Sequence, residues 1–130
     1  MKKSTITATF KSDLRKVWGI VTDNENTSWR SDLSRTEVTE DGFIEYTKDG
    51  FATSFTITMQ EPFRCYAFTL DNANISGRWE GIFSPDGDGS RIIFTEEVTA
   101  KKPLMNLFIS GYLKKQQQRY VEDLRKALGE

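Results

Sequence analysis

The chain has 130 residues, 18 of them basic and 19 acidic, with a net charge of −1 and no histidine. This length suits a single core, so we expect one domain over residues 1–130, and the balanced charge offers no broad field to attract nucleic acid. The lack of histidine excludes histidine-based triads and most zinc or iron sites, which leaves carboxylates, tyrosines, lysines or a cofactor for any chemistry.

The first elements are a strand and a helix. Residues 4–10 alternate apolar and polar side chains, which predicts a half-buried strand. Residues 13–21 carry apolar side chains at helical spacing, and Ser12 is placed to cap the helix. The following segment, residues 22–32, is rich in turn formers. It should hold at most a short second helix, which would carry Trp29.

A run of strands and a long helix complete the chain. From residue 33 to residue 99, apolar runs alternate with the turn signals DG, KDG, EPF, DNAN and PDGDG, which predicts closely spaced antiparallel strands. Residues 104–128 predict a long helix that Gly129 stops. This helix is the only element long enough to cover the apolar face of the sheet. The sequence therefore predicts an α+β fold of seven antiparallel strands, with one or two short helices between the first two.

Alternation also predicts which side chains face the interior, because successive side chains on a strand point to opposite faces. The strand side chains assigned to the interior are Tyr46, Phe55, Ile57, Met59, Tyr66, Phe68, Trp79, Phe94 and Glu96. The last helix contributes Leu113, Gln117 and Tyr120 from its apolar face. We expect Gln117 to bond a neighbouring backbone group, and we favour bonds within the wall over ligand contacts for the hydroxyls of Tyr46 and Tyr66.

Glu96 is an acidic residue on an apolar face. It shares that face with Phe94, whereas Glu97 takes the solvated side. A buried carboxylate without a partner is costly. Glu96 should therefore lie near a cavity mouth, be protonated, or pair with Arg30 or Arg64. A solvated rim carboxylate and a functional acid remain equally open.

The start of the last helix, LMNLFISGYL at residues 104–113, is apolar on nearly every side, which one sheet-facing stripe does not require. Leu104, Phe108 or Tyr112 must be covered by the loop around Trp29 and the other loops at that end, by a second copy in a homodimer, or by a wide cavity mouth. Trp29 lies in a polar segment between a helix and a strand, where loops commonly control access to a site. We predict that Trp29 gates the cavity.

Two stretches carry a resemblance to a known family. VWGIVTDNENTSWRSDLSRTEV at 17–38 and GRWEGIFSPDGDGSRIIFTEEV at 77–98, with the terminal amphipathic helix, resemble the START-like (SRPBCC) helix-grip superfamily. Within it, the polyketide cyclase/dehydrase-like branch is nearest. The resemblance covers essentially the whole chain. It implies a curved seven-stranded sheet gripping the long helix, with an apolar cavity between them, but a fold alone does not give an activity.

Three functional hypotheses follow. An aromatic-rich lining with few polar groups favours binding of a small hydrophobic or aromatic molecule, lipid- or polyketide-like. The alternative is a cyclase/dehydrase-type enzyme with Glu96 as general acid/base and a tyrosine or Arg30 stabilising an enolate. The missing histidine makes an enzyme less favoured. A further alternative is a protein-interaction module of the chaperone-activator type, which requires an exposed apolar patch.

The expected partners are few. We predict a small hydrophobic ligand, no nucleic acid, no metal, no cofactor and no stable membrane insertion, because no apolar stretch approaches the ~20 residues of a membrane span. The chain should be a monomer or a homodimer through Leu104–Leu113. The first ten residues lack the apolar segment of a signal peptide, and Cys65 has no disulfide partner, so we predict a cytoplasmic protein.

Overall fold

A computed structural model describes residues 1–130. In chain order its elements are β1 (Lys2–Phe10), α1 (Leu14–Thr22), β2 (Leu33–Val38), β3 (Gly42–Thr47), β4 (Ala52–Glu61), β5 (Cys65–Asp71), β6 (Ile75–Asp86), β7 (Gly89–Ala100), a 3₁₀ helix (Pro103–Leu107) and α2 (Ile109–Ala127). All seven strands form one antiparallel sheet in the order β1-β7-β6-β5-β4-β3-β2. The predicted α+β class and the seven antiparallel strands are confirmed.

Helix α2 lies against the inner face of the sheet. Its buried side chains include Leu113, Val121 and Leu124, which belong to the hydrophobic core. Gln117 joins the helix to the first strand, because its Nε2 donates to the Ser4 carbonyl at 2.9 Å and its Oε1 accepts from the Ser4 hydroxyl at 2.8 Å. The predicted backbone bond of Gln117 is therefore confirmed. No helix of the structure is both long and apolar enough to cross a lipid bilayer.

The C-terminal helix begins later than the sequence predicts. Hydrogen bonds from Met105 N to Lys102 O and from Phe108 N to Met105 O close 3₁₀ turns, and α2 starts only at Ile109. The tighter turns let Ile109 enter the core while the residues before it stay at the surface. At the other end, Gly129 has φ of +77°, which confirms it as the helix stop.

The start of α1 differs from the prediction. Asp13, not Ser12, caps the helix, with its Oδ1 accepting from Lys16 N at 2.9 Å. The Ser12 backbone N–H and hydroxyl bond instead to the Glu130 carboxylate, at 2.9 and 2.8 Å. The end of the chain thereby fastens the junction of β1 and α1. No second helix forms in residues 23–32, which consist of turns.

The strands also correct two predicted faces. Tyr46 points outward, where its hydroxyl donates to Glu37 Oε2 at 2.8 Å and the Arg35 guanidinium lies 3.8 Å from its ring centroid. Both faces of β3 carry an aromatic residue, so alternation could not choose between them; the inward face is fixed by pairing with β4, which sets Phe43 opposite Phe55. Met59 is exposed because a bulge between Ile57 and Met59 interrupts the alternation of β4.

Candidate functional site

A cavity of about 140 Å³ lies between the inner face of the sheet, α2 and the turns that follow α1. Its wall is mainly aromatic, because the inward positions of β3 to β7 carry rings and α2 adds two more. The ten aromatic residues that line it are Trp29, Phe43, Phe51, Phe55, Tyr66, Phe68, Trp79, Phe94, Tyr112 and Tyr120. The polar lining residues come from the turns, the strands and α2, and they include the charged side chains of Arg30, Asp32, Glu45 and Glu96.

The structure brings together most of the residues that the sequence assigned to the site. Nine of the twelve line the cavity: Trp29, Phe55, Tyr66, Phe68, Trp79, Phe94, Glu96, Gln117 and Tyr120. Three do not. Tyr46 faces outward, Leu113 belongs to the core, and Ile57 is partly buried against that core outside the cavity lining. Those two were misplaced because alternation and helical spacing identify an inward direction but not the position of a void within the core.

Trp79 is the central side chain of the aromatic wall. Its ring stacks on Phe68 with centroids 4.7 Å apart and an interplanar angle of 1°. It also contacts Phe94 at 5.5 Å and Tyr120 at 6.0 Å between centroids. Gly81 makes room for it, since a Cβ there would lie 3.0 Å from the indole ring. The wall is thus a packed array of rings fixed by mutual contact.

A buried ion cluster forms the polar part of the lining. Arg30 Nε and Nη2 donate to the two carboxylate oxygens of Asp32, each at 3.2 Å, and Nη1 donates to Glu45 Oε2 at 3.1 Å. The three side chains are only 13%, 11% and 15% exposed. The guanidinium also lies 4.9 Å from the ring centroid of Tyr120. Burial raises the pKa of Glu45, and the charge of Arg30 opposes that rise.

Sequence reasoning missed two members of this cluster. Asp32 stands two residues after Arg30, which was a visible signal of a local pair. Glu45 was hidden by the wrong face assigned to its strand, because Glu45 faces inward only when Tyr46 faces outward. The cluster shows that Arg30 is engaged by two carboxylates and is not the partner of Glu96.

Glu96 lies on β7 directly across from Trp79, and its carboxyl forms no hydrogen bond or salt bridge with the protein. The predicted partners are wrong, because Arg30 binds Asp32 and Glu45, and Arg64 is a surface residue beside Glu61. Burial raises the pKa of Glu96 to about 7, the charge of Glu45 adds to the rise, and Arg30 opposes it. Glu96 is therefore protonated below neutral pH. A protonated carboxyl was one of the three alternatives predicted for Glu96 from the sequence.

Two more polar groups of the lining have no protein partner. The indole N–H of Trp29 is buried without a hydrogen-bond acceptor. The hydroxyl of Tyr120 forms no hydrogen bond, and burial raises its pKa. By contrast, the Tyr66 hydroxyl accepts from Asn24 Nδ2 at 2.8 Å, so the favoured bond within the wall is present there.

The pKa of Glu96 predicts a pH-dependent stability. The folded protein holds this proton up to about pH 7, whereas an unfolded chain loses it near the ordinary value of 4.5. The folded state binds more protons in that window, so the free energy of unfolding should fall as pH rises through it, by up to about 3 kcal/mol from this group. Glu96→Gln should match the wild type near pH 5 and be the more stable protein near pH 8, as measured by urea unfolding.

Glu97→Gln is the matched control for that experiment. Glu97 is the next residue on β7 but points outward, and its carboxylate accepts from Arg78 Nη2 at 2.8 Å, which lowers its pKa. This variant should keep the fall in stability between pH 5 and pH 8. Parallel curves for the wild type and Glu96→Gln would show that Glu96 is not the buried acid described above.

The curved antiparallel sheet, the C-terminal helix that it grips and the cavity between them define a helix-grip domain. Solved structures share this fold over nearly the whole chain. A conserved protein from Geobacillus kaustophilus matches with a TM-score of 0.85 at 11% identity, covering 98% of this chain and 95% of that one. A START superfamily protein from Mycobacterium smegmatis matches with a TM-score of 0.85 at 12% identity, covering 96% and 95%.

A third structure of this fold is DynU16, a protein in the dynemicin biosynthetic locus. It has a TM-score of 0.78 at 14% identity, with 99% of this chain and 48% of that chain covered. Such identities show a shared fold. The chain belongs to the family described as polyketide cyclase / dehydrase and lipid transport, whose model matches residues 1–129. No curated protein matches the chain in sequence.

Proposed function

We propose that this chain binds a small, neutral aromatic molecule in the cavity between the sheet and α2. One observation carries the proposal: within an aromatic wall, the Glu96 carboxyl, the Tyr120 hydroxyl and the Trp29 indole N–H all lack a protein partner. The Trp29 N–H is fully buried, and a buried donor without an acceptor costs roughly 1–3 kcal/mol. Glu96 and Tyr120 line the cavity itself. A ligand that carries oxygen or nitrogen atoms would satisfy these groups.

The volume of the cavity limits the size of the ligand. The void measures about 140 Å³. An apolar cavity of about 150 Å³ is enough to hold benzene. The best fit is therefore a single substituted ring, which is smaller than the lipid- or polyketide-like molecule considered from the sequence.

The charges in the lining favour a neutral ligand. Arg30 is bound by Asp32 and Glu45, so this cluster already has one more carboxylate than cations. Glu96 adds a further negative charge once the pH exceeds its pKa of about 7. An anionic ring would meet like charges in a poorly solvated site. A phenol, which both donates and accepts one hydrogen bond, fits the unpartnered groups better than a carboxylate.

Titration with phenol tests the proposal, with benzoate as the charged counterpart. The indole N–H signals of the three tryptophans report the site separately by NMR, because Trp29 and Trp79 line the cavity and Trp18 does not. Phenol should shift the signals of Trp29 and Trp79 and leave that of Trp18 nearly unchanged, while benzoate near pH 8 should shift none. Equal shifts of all three signals, or none with phenol, would contradict the proposal.

Removal of one hydroxyl should separate binding from folding. Tyr120→Phe deletes a hydroxyl that has no protein partner, so the free energy of unfolding should change little. Loss of one hydrogen bond to phenol should weaken binding by about twofold to tenfold. Tyr46→Phe is the matched control, because its hydroxyl lies on the outer face and bonds to Glu37. Phenol affinity that is equal in both variants would place the ligand away from Tyr120.

Acid–base catalysis is a second candidate, favoured by the pKa of Glu96. A general acid or base works best when its pKa lies near the operating pH, and that of Glu96 is about 7. Tyr120 is the free donor for a developing enolate, since Arg30 is already bound by two carboxylates. Turnover of a neutral ring ketone that Glu96→Gln abolishes, while still binding phenol, would favour the enzyme over the binding protein.

A further inference from the structure

The segment that leads from β7 into α2 presents apolar side chains to solvent. Leu104, Leu107 and Phe108 are 78%, 77% and 73% exposed, and Tyr112 is 50% exposed. Side chains three apart in a 3₁₀ helix lie one above the other, and those four apart in an α-helix are neighbours. Leu104 and Leu107 are therefore neighbours, as are Phe108 and Tyr112, and the two pairs follow one another along one exposed strip of chain. We call these four side chains the apolar tip.

The apolar tip rests on an ordered backbone. Phe108 N donates to Met105 O at 3.1 Å, and Tyr112 N donates to Phe108 O at 3.0 Å. Ile109, in the middle of the strip, is buried in the core and fixes the direction of its neighbours. The loop around Trp29 does not cover the tip, so that predicted covering is wrong. Large apolar side chains exposed together in this way are typical of a surface that interacts with a protein, a membrane or a ligand.

Basic side chains flank the apolar tip. Between Glu97 and Glu122 the sequence has no acidic residue, and its charged residues there are Lys101, Lys102, Lys114, Lys115 and Arg119. Lys101 is bound to Asp71 at 2.7 Å, while the other four form no salt bridge. Lys115 follows Tyr112 by three residues on α2 and so lies on the same side of the helix. The strip is thus apolar at its end and positive at its base.

We infer that the apolar tip docks on an anionic lipid surface. Leucine and phenylalanine side chains would enter the boundary of the acyl chains, and the lysines at the base would stay among the negative headgroups. A second copy of the chain is a poorer match. A two-fold contact sets the same patch against itself, which would bring the lysines of both copies together with no acidic residue of this segment between them.

Docking would bring the cavity to the membrane. Tyr112 belongs to the apolar tip and also lines the cavity, as does Gln116 one turn further along α2. An apolar ligand dissolved in the bilayer would then reach the cavity without crossing water. This consequence rests on the proposed ligand binding, whereas docking itself requires only the tip and the lysines.

Flotation with lipid vesicles tests the inference. The wild type should float with vesicles of phosphatidylcholine mixed with phosphatidylserine, much less with phosphatidylcholine alone, and less again at high salt. Leu107→Ala/Phe108→Ala should weaken binding by about tenfold or more, since two large apolar side chains lose their burial. Lys114→Gln and Lys115→Gln should each weaken it by about fivefold. The matched control is Val38→Ala/Lys48→Gln, which changes an exposed valine on β2 and an exposed lysine in the turn after β3, and it should bind as the wild type does.

Three results would overturn the inference: no flotation with either vesicle, equal flotation with both, or wild-type flotation by Leu107→Ala/Phe108→Ala. A wild-type dimer that this double variant converts to a monomer would also overturn it and assign the tip to a second copy. The two proposals fail separately. Tyr120→Phe should float normally yet bind phenol weakly, and Leu107→Ala/Phe108→Ala should bind phenol normally, because neither Leu107 nor Phe108 lines the cavity.

Discussion

Replacement of Trp79 by alanine is expected to lower the free energy of unfolding by about 3–5 kcal/mol, the range for loss of a large buried aromatic side chain. Trp79 is 7% exposed, stacks on Phe68, and touches Phe94 and Tyr120. Its removal would merge a new void with the existing cavity and leave several rings without a neighbour. Urea unfolding followed by circular dichroism measures the loss.

Comparison with Trp29→Ala distinguishes an effect on stability from an effect on ligand uptake. Trp29 packs edge-on against Tyr120, with centroids 5.3 Å apart, and lies in turns at the surface of the fold. We expect a smaller loss of stability and a larger change in phenol uptake than for Trp79→Ala. If Trp29→Ala is as destabilised as Trp79→Ala and binds phenol like the wild type, Trp29 is a core residue and the entrance to the cavity lies elsewhere.

Replacement of Arg30 by methionine is expected to cost about 3–5 kcal/mol near pH 7, because it leaves two buried carboxylates without a cation. Asp32 and Glu45 together accept three hydrogen bonds from the guanidinium. Without Arg30, the pKa of Glu45 loses the charge that opposes its rise. The variant should therefore recover stability relative to the wild type as the pH falls from 7 toward 5, because Glu45 then takes up a proton more readily.

Arg35→Met is the matched control for the ion cluster. Arg35 pairs with Glu37 at 3.6 Å, and both side chains are largely exposed. Exposed ion pairs contribute at most about 1 kcal/mol, so this variant should stay close to the wild type at both pH values. A loss of similar size in Arg30→Met and Arg35→Met would mean that the cluster around Arg30 is solvated and not buried.

The two residues behind these predictions shape the site in different ways. Trp79 maintains the apolar wall, and its loss would alter the shape of the cavity. Arg30 holds Asp32 and Glu45 and lies over the ring of Tyr120. Because Arg30 contacts that ring, Arg30→Met should also weaken phenol binding. The ion cluster therefore contacts the ring whose hydroxyl we expect to bind the ligand.

Much of the fold was determined by local patterns in the sequence. The inward faces of β5, β6 and β7 follow from alternation, so Tyr66, Phe68, Trp79, Phe94 and Glu96 were placed correctly. These positions were predictable because the two-residue period of a strand is a property of the backbone alone. The helix stop at residue 129 and the amphipathic face of α2 were predictable for the same reason, since each depends on residues within a few positions.

Other features were decided only by contacts between distant parts of the chain. The inward face of β3 is set by its pairing with β4. Because the sequence did not determine that face, it could not place Glu45 beside Arg30. The position of the 3₁₀ turns before Ile109 depends on Ile109 being the side chain that packs into the core. A segment in which nearly every residue is apolar does not show which of its side chains will be buried. The volume of the cavity is the space that many rings leave unfilled when they pack together. Such quantities depend on the register of strands and on side chains far apart in sequence, so they exist only once the tertiary structure has formed.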